Sequence, residues 1–123
     1  MKNSQYFYRS AVFTRKDNSV ALADIYQPGN TSPLDDWMGI VVSLADGKHT
    51  IEELIGYLKK HYPMPPENLE KTLHSVLERL VDGEIVRLTD EKVELPYYLA
   101  SPIEELDIEK AKKLMNEDGY QVH

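Results

Sequence analysis

The sequence predicts an α+β fold, and three observations predict it. A β-rich segment opens the chain, three amphipathic helices follow, and a second short hairpin pattern comes after them. The chain has 123 residues, of which 41% are hydrophobic, so it can build one sizeable core. We expect a main domain over residues 1–100 and a C-terminal helical extension over residues 101–123.

Residues 5–31 are rich in aromatic and β-branched side chains and are interrupted by the polar run 16–19. This pattern predicts a β-hairpin or small sheet. Turn-forming residues then concentrate between Gln27 and Pro33. Because each proline removes a backbone donor, the chain must either leave the sheet here or run along its edge.

After residue 33 the apolar spacing changes from two to the 3.6 residues of a helix. The first helix has Ser32 or Asp35 as its N-cap and Gly47 as the left-handed residue after its end. The second begins with the capping box Thr50 to Glu53, and the third runs from Pro66 to Gly83. The apolar stripes of the three helices are Leu34, Trp37, Met38, Val41, Leu44 and Ala45; Ile51, Leu54, Ile55, Leu58 and Tyr62; and Leu69, Leu73, Val76, Leu77 and Leu80.

The third predicted helix is followed by a second hairpin pattern over residues 84–95, with a polar tip at 89–92. Three helices followed by a hairpin describe a winged helix-turn-helix with a C-terminal wing. Beyond it, Ile108, Ala111, Leu114 and Met115 outline a tail helix that ends near Gly119, and Ser101 offers a cap.

The net charge restricts the partners. Lys and Arg number 14 against 21 Asp and Glu, a net charge of −7, which is the wrong sign for a phosphate backbone. The third helix carries Lys71 and Arg79 against Glu67, Glu70, Glu78 and Asp82. Nucleic-acid binding is therefore disfavoured, although the helix order keeps a winged-helix DNA-binding regulator as the alternative function.

No catalytic or metal-binding pattern stands out. The chain has no cysteine, and no two of its four histidines have the helical spacing of a zinc pair. The pairs Asp35-Asp36 and Glu52-Glu53 lie in first helical turns, where the helix dipole favours negative charge. We expect a protein that is not an enzyme and uses no cofactor. With no membrane-length apolar run and no secretory pattern, it is expected in the cytoplasm.

Residues 34–88 resemble a PqqD-like domain. The resemblance is carried by Asp46-Gly47, Thr50 and Glu53, and then by Leu73, Leu77, Leu80, Gly83 and Ile85. It implies a small winged-helix-like unit with an N-terminal three-stranded sheet. Such a unit binds the leader segment of a ribosomally made precursor peptide as an added strand beside the third helix, and delivers the peptide to a modifying enzyme.

The sequence departs from this family in two places. Family members carry an aliphatic strand directly before the first helix, whereas residues 29–33 here are polar. The chain also continues past Leu88 with a hairpin and a helix, which can dock on a partner enzyme or cover the groove. A homodimer through the tail helix is a further alternative.

The resemblance places the peptide-binding residues on the return strand and on the third helix. We assign the sheet edge to residues 20–27, because an open edge offers main-chain hydrogen bonds to an incoming strand. The flank of the third helix outside its apolar stripe completes the expected groove. The predicted binding residues are Val20, Leu22, Ile25, Tyr26, Gln27, Thr72, Ser75 and Arg79.

Overall fold

The computed structural model describes residues 2–17, 19–61 and 66–120. It shows an α+β fold with two three-stranded antiparallel sheets and five helices, which confirms the predicted class. The strands are β1 (Tyr6–Arg9), β2 (Phe13–Lys16), β3 (Ser19–Asp24), β4 (Gln27–Pro33), β5 (Asp46–Thr50) and β6 (Val86–Thr89). The helices are α1 (Asp36–Leu44), α2 (Ile51–His61), α3 (Pro66–Asp82), α4 (Tyr97–Ala100) and α5 (Ile108–Asp118), with a 3₁₀ turn at Ile103–Glu105.

The first sheet has the order β5-β1-β6, with β1 in the centre. Tyr6 lies opposite Thr50 on one side and Thr89 on the other. The predicted N-terminal hairpin is therefore wrong for residues 6–9. They pair with β5, which lies between α1 and α2 in the chain, and with β6, which follows α3. The change of sheet takes place between Ser10, which donates to the Ile85 carbonyl, and Val12, whose carbonyl accepts from Ala23.

The second sheet is the meander β2-β3-β4. The predicted turn lies between Lys16 and Ser19, which are opposite each other, and Asp17 adopts a positive φ of 50° in it. β4 pairs with β3 from Gln27 to Pro33, so the chain follows the sheet edge, one of the two outcomes that its prolines allow. A three-stranded antiparallel sheet thus directly precedes α1.

The predicted helix starts are confirmed by their hydrogen bonds. The Asp35 carboxylate accepts from the Met38 amide at 2.8 Å and caps α1. The Thr50 hydroxyl accepts from the Glu53 amide, and the Glu53 carboxylate accepts from the Thr50 amide at 3.0 Å. Pro66 begins α3 as predicted. The predicted stripe residue Tyr62 lies outside the described residues.

Gly47 does not end a helix, contrary to the prediction. It lies in β5, a strand that the sequence reasoning missed, with a φ of +78°. A Cβ here would come within 2.8 Å of the Val93 carbonyl oxygen, so the position requires glycine for both its conformation and its space. The left-handed residue after α3 is Glu84, with a φ of 59°.

The main core lies between α1, α2, α3 and the inner strands. α3 packs on α1, α2 and β6, and α1 packs on β3. Trp37, a member of the predicted apolar stripe of the first helix, is half-buried against this core. The fully enclosed members include Phe7, Phe13, Val41, Val42, Ile51, Leu58, Leu69, Leu73, Leu77, Leu80 and Val86.

The C-terminal segment, residues 97–120, builds a second apolar cluster on buried residues that directly precede β2 and directly follow β3. Val12 and Ile25 pack there with α4, the 3₁₀ turn and α5, and the buried members are Val12, Ile25, Tyr98, Leu99, Ile103, Ala111 and Met115. Asp107, rather than Ser101, caps α5, and Gly119 follows it in the left-handed conformation. Ala111 and Met115 of α5 are buried within the chain, and a homodimer through this helix stays a prediction.

The second strand of the predicted wing hairpin does not form. Residues 93–95 are not a strand, and the Val93 amide donates instead to the Gly47 carbonyl at 2.9 Å. β6 pairs with β1, so the segment after β6 crosses towards β5 rather than returning along β6. Throughout residues 2–17, 19–61 and 66–120, no helix has the length and apolar character needed to cross a membrane.

Candidate functional site

The two outer strands of the β2-β3-β4 sheet have different surroundings. Along β2, the Arg15 amide donates to the Glu104 carboxylate at 2.9 Å, and the Thr14 hydroxyl donates to the same carboxylate. Arg15 also forms an ion pair with Glu105 at 3.6 Å. The 3₁₀ turn of the C-terminal segment therefore covers the β2 edge.

Electrostatics support this attachment. Partial burial acts to raise the pKa of Glu104, but the hydrogen bonds from Thr14 and from the Arg15 amide outweigh it and hold the pKa below its ordinary value. The carboxylate is thus ionised at neutral pH. A charged acceptor on an edge amide prevents another strand from pairing there.

The β4 edge has its main-chain groups arranged for a further strand. The Leu34 amide donates to the Val20 carbonyl at 3.2 Å, and Leu22 lies opposite Ser32. Along an antiparallel strand, the main-chain N–H and C=O groups of successive residues point alternately towards and away from the neighbouring strand. The main-chain groups of Thr31 and Pro33 therefore point away from β3. Within the described residues, β3 is the only strand next to β4. Thr31 can exchange two hydrogen bonds with an added strand, and Pro33 can accept one.

The prediction that residues 20–27 form a free sheet edge is wrong for residues 20–24, which lie in β3. This strand is central, with both sides paired, so the main chain of Val20 and Leu22 is not available to a peptide. Val20 packs against α1, where a Cβ on Gly39 would lie 3.1 Å from its own. Leu22 lines a cavity of about 120 Å³ together with Gly83 and Ile85.

The next three predicted binding residues have three different environments. Ile25 is 0% exposed in the second cluster, so its side chain is part of the core. Tyr26 is 51% exposed, with the Lys112 ammonium 5.8 Å from its ring centre. Gln27 is exposed and is the first residue of the outer strand β4. Tyr26 and Gln27 thus lie at the start of the open edge.

Thr72, Ser75 and Arg79 share one flank of α3, as their spacing predicts. Thr72 is half-buried, and Ser75 and Arg79 are exposed. Asn3 hydrogen-bonds Glu70 and His74 on the other flank of α3. Their place on the helix is as expected, and their contact with a peptide stays a prediction.

Arg9 joins the C-terminal segment to the main core. Its buried guanidinium donates to the Val42 and Ser43 carbonyls at the end of α1 and to the Leu99 and Ala100 carbonyls at the end of α4, at 2.9 to 3.1 Å. Burial lowers its pKa to about 10, so the group remains charged at neutral pH. The helix ends supply the negative dipoles that stabilise this charge.

Comparisons of the chain with protein-family models, with curated proteins and with solved structures found no match.

The acidic pairs have the capping role that the sequence predicts. Hydrogen bonding from the Thr50 amide lowers the pKa of Glu53, which fixes it as the charged half of a capping box. His49 Nδ1 lies 3.1 Å from both Asp46 carboxylate oxygens in an exposed pair. In the described ranges, no group of three or more His, Asp or Glu side chains is placed to hold a metal ion.

Proposed function

We propose that the chain is a non-catalytic adaptor that binds the leader segment of a ribosomally made precursor peptide and presents it to a modifying enzyme. The β4 edge carries this proposal. It is the outer strand of a three-stranded sheet placed before α1, where the PqqD-like resemblance expects the leader to add. The chain's own C-terminal segment covers the other edge of this sheet, and within residues 2–17, 19–61 and 66–120 no strand pairs with the outer side of β4.

Strand addition suits the groups that β4 presents. A flexible peptide supplies hydrogen-bond partners for the outward main-chain groups of Thr31 and Pro33. This part of the affinity is independent of the side chains of the peptide. Side-chain contacts at Tyr26 and Gln27, at the start of the strand, contribute selectivity. Because the peptide must be ordered on binding, we expect micromolar to submicromolar affinity.

The first test removes the main-chain N–H donor of Thr31, which points away from β3. Thr31→Pro removes one amide hydrogen from the outer side of β4 and leaves its bonds to β3 in place, since proline is tolerated on an edge strand. We expect roughly tenfold weaker leader binding, from the lost hydrogen bond of about 1 kcal/mol and the added ring. Isothermal titration with peptides from short reading frames beside the gene measures it.

Thr31→Ala is the matched control, because it removes the same side chain but keeps the amide. It is expected to bind as the original chain does. Equal affinities for the proline and alanine variants would contradict strand addition at β4. Binding of duplex DNA with an affinity that falls as salt rises would support the regulator instead.

A further inference from the structure

A groove lies between α1 and α2, away from the residues of β4. It consists of two cavities of about 650 and 280 Å³ that share Ser43, Leu44 and Tyr57 in their walls. Val20 and Leu34 line one end, and Phe7 and Leu54 line the other. No residue of β4 lines either cavity, so the groove is separate from the proposed leader site.

Tyr57 stands at the junction of the two cavities. Its side chain is 48% exposed, and with Tyr26 it forms the pair of exposed large hydrophobic side chains in the described part of the chain. The ring contacts His61 with centroids 4.3 Å apart, one turn along α2. The buried stripe of α2 is complete without it, so packing of the core does not account for a tyrosine here. Exposed tyrosines beside apolar grooves are typical anchors of protein interfaces.

Charged groups around the groove are mainly acidic. Its lining includes four carboxylates, Asp35, Asp36, Asp46 and Glu53. The cationic side chain Arg15 is paired with Glu105, and His49 is paired with Asp46. The surface therefore has a negative rim around an apolar floor, and it is complementary to a ligand with an apolar face and a basic border.

We propose that this groove binds a basic amphipathic helix of a partner protein. A helix presents apolar residues at i, i+3, i+4 and i+7 on one side and can carry lysines along both borders. Tyr57 and Leu44 contact the apolar face, and the four carboxylates face the lysines. Because the groove shares no residue with β4, this proposal stands independently of leader binding.

The test uses the full chain and a fluorescein-labelled helical peptide of leucine and lysine, with leucines at i, i+3, i+4 and i+7. Fluorescence anisotropy is expected to show saturable one-to-one binding. Tyr57→Ser should weaken it tenfold or more, as for an interface anchor. Tyr26→Ser, a matched change at the other exposed tyrosine, should alter it less than twofold. Circular dichroism confirms that both variants are folded.

A second peptide, in which glutamate replaces every lysine, tests the charge argument and is expected not to bind. The proposal is overturned if neither peptide binds, if both bind equally, or if Tyr57→Ser leaves the affinity unchanged. Sedimentation identifies the competing occupant: a dimer of the full chain that Tyr57→Ser dissociates would assign the groove to a second copy and also overturn the proposal.

Discussion

Replacing Arg9 with methionine is expected to lower the free energy of unfolding by about 3 to 5 kcal/mol. The methionine has a similar length but no donor. It leaves the buried carbonyls of Val42 and Leu99 without the hydrogen bonds that Arg9 gives them. The cation–π contact with Phe13, at 4.6 Å from the ring centre, is lost as well. Urea denaturation followed by circular dichroism measures the change.

Arg15→Met is the matched control, because it makes the same chemical change where the side chain is 46% exposed and forms a single ion pair. An exposed pair of this kind contributes about 0 to 1 kcal/mol. If the two variants had the same stability, Arg9 would not be the link between the C-terminal segment and the main core.

Ile25→Ala is expected to cost about 2 to 5 kcal/mol of stability, because a fully buried side chain leaves a cavity on truncation. The sequence predicts a place for this residue in the peptide-binding groove, whereas the structure encloses it among α4 and α5 side chains. Urea denaturation of the variant distinguishes the two roles, since a surface binding residue has little effect on unfolding.

The adjacent residue provides the control. Tyr26→Ala removes a larger side chain, but one that is half exposed. The free energy of unfolding of this variant should therefore change by less than about 1 kcal/mol. A small loss for Ile25→Ala, matching that of Tyr26→Ala, would contradict the second cluster as described.

The helices could be predicted because their signals are local. The capping box at Thr50 and Glu53, the cap at Asp35 and the start at Pro66 all act within one turn, and the structure has each of them. The apolar spacing of α3 likewise identified its buried face, from Leu69 to Leu80. Short-range hydrogen bonds and helical periodicity are sufficient for such elements.

The sheets could not be predicted in the same way, because strand partners come from distant parts of the chain. Tyr6 pairs with Thr50 and Thr89, and no pattern near residue 6 specifies either. The strand Asp46–Thr50 carries a glycine and polar residues and has the composition of a turn. The predicted wing failed because Val93 pairs with Gly47, which a local hairpin pattern does not reveal.

The position of the outer strand before α1 could be predicted in part. The prolines before α1 indicate an edge strand, and residues 27–33 do form one, but the predicted docking edge at residues 20–27 lies mostly in the central strand β3. The sequence does not predict the contact between the 3₁₀ turn and the β2 edge, because this contact depends on Glu104, which is 90 residues from Thr14. The resemblance implies an open edge, and among the described residues β4 is the outer strand that lacks the Glu104 contacts of β2.

Hydrogen exchange of the Thr31 amide, followed by nuclear magnetic resonance with and without a leader peptide, tests the central claim most directly. The account predicts that the bound peptide slows exchange at Thr31 by tenfold or more, because this amide gains a partner. The Ser32 amide, which already points towards β3, should change little. Unchanged exchange at Thr31 while a leader peptide is bound would contradict strand addition at β4.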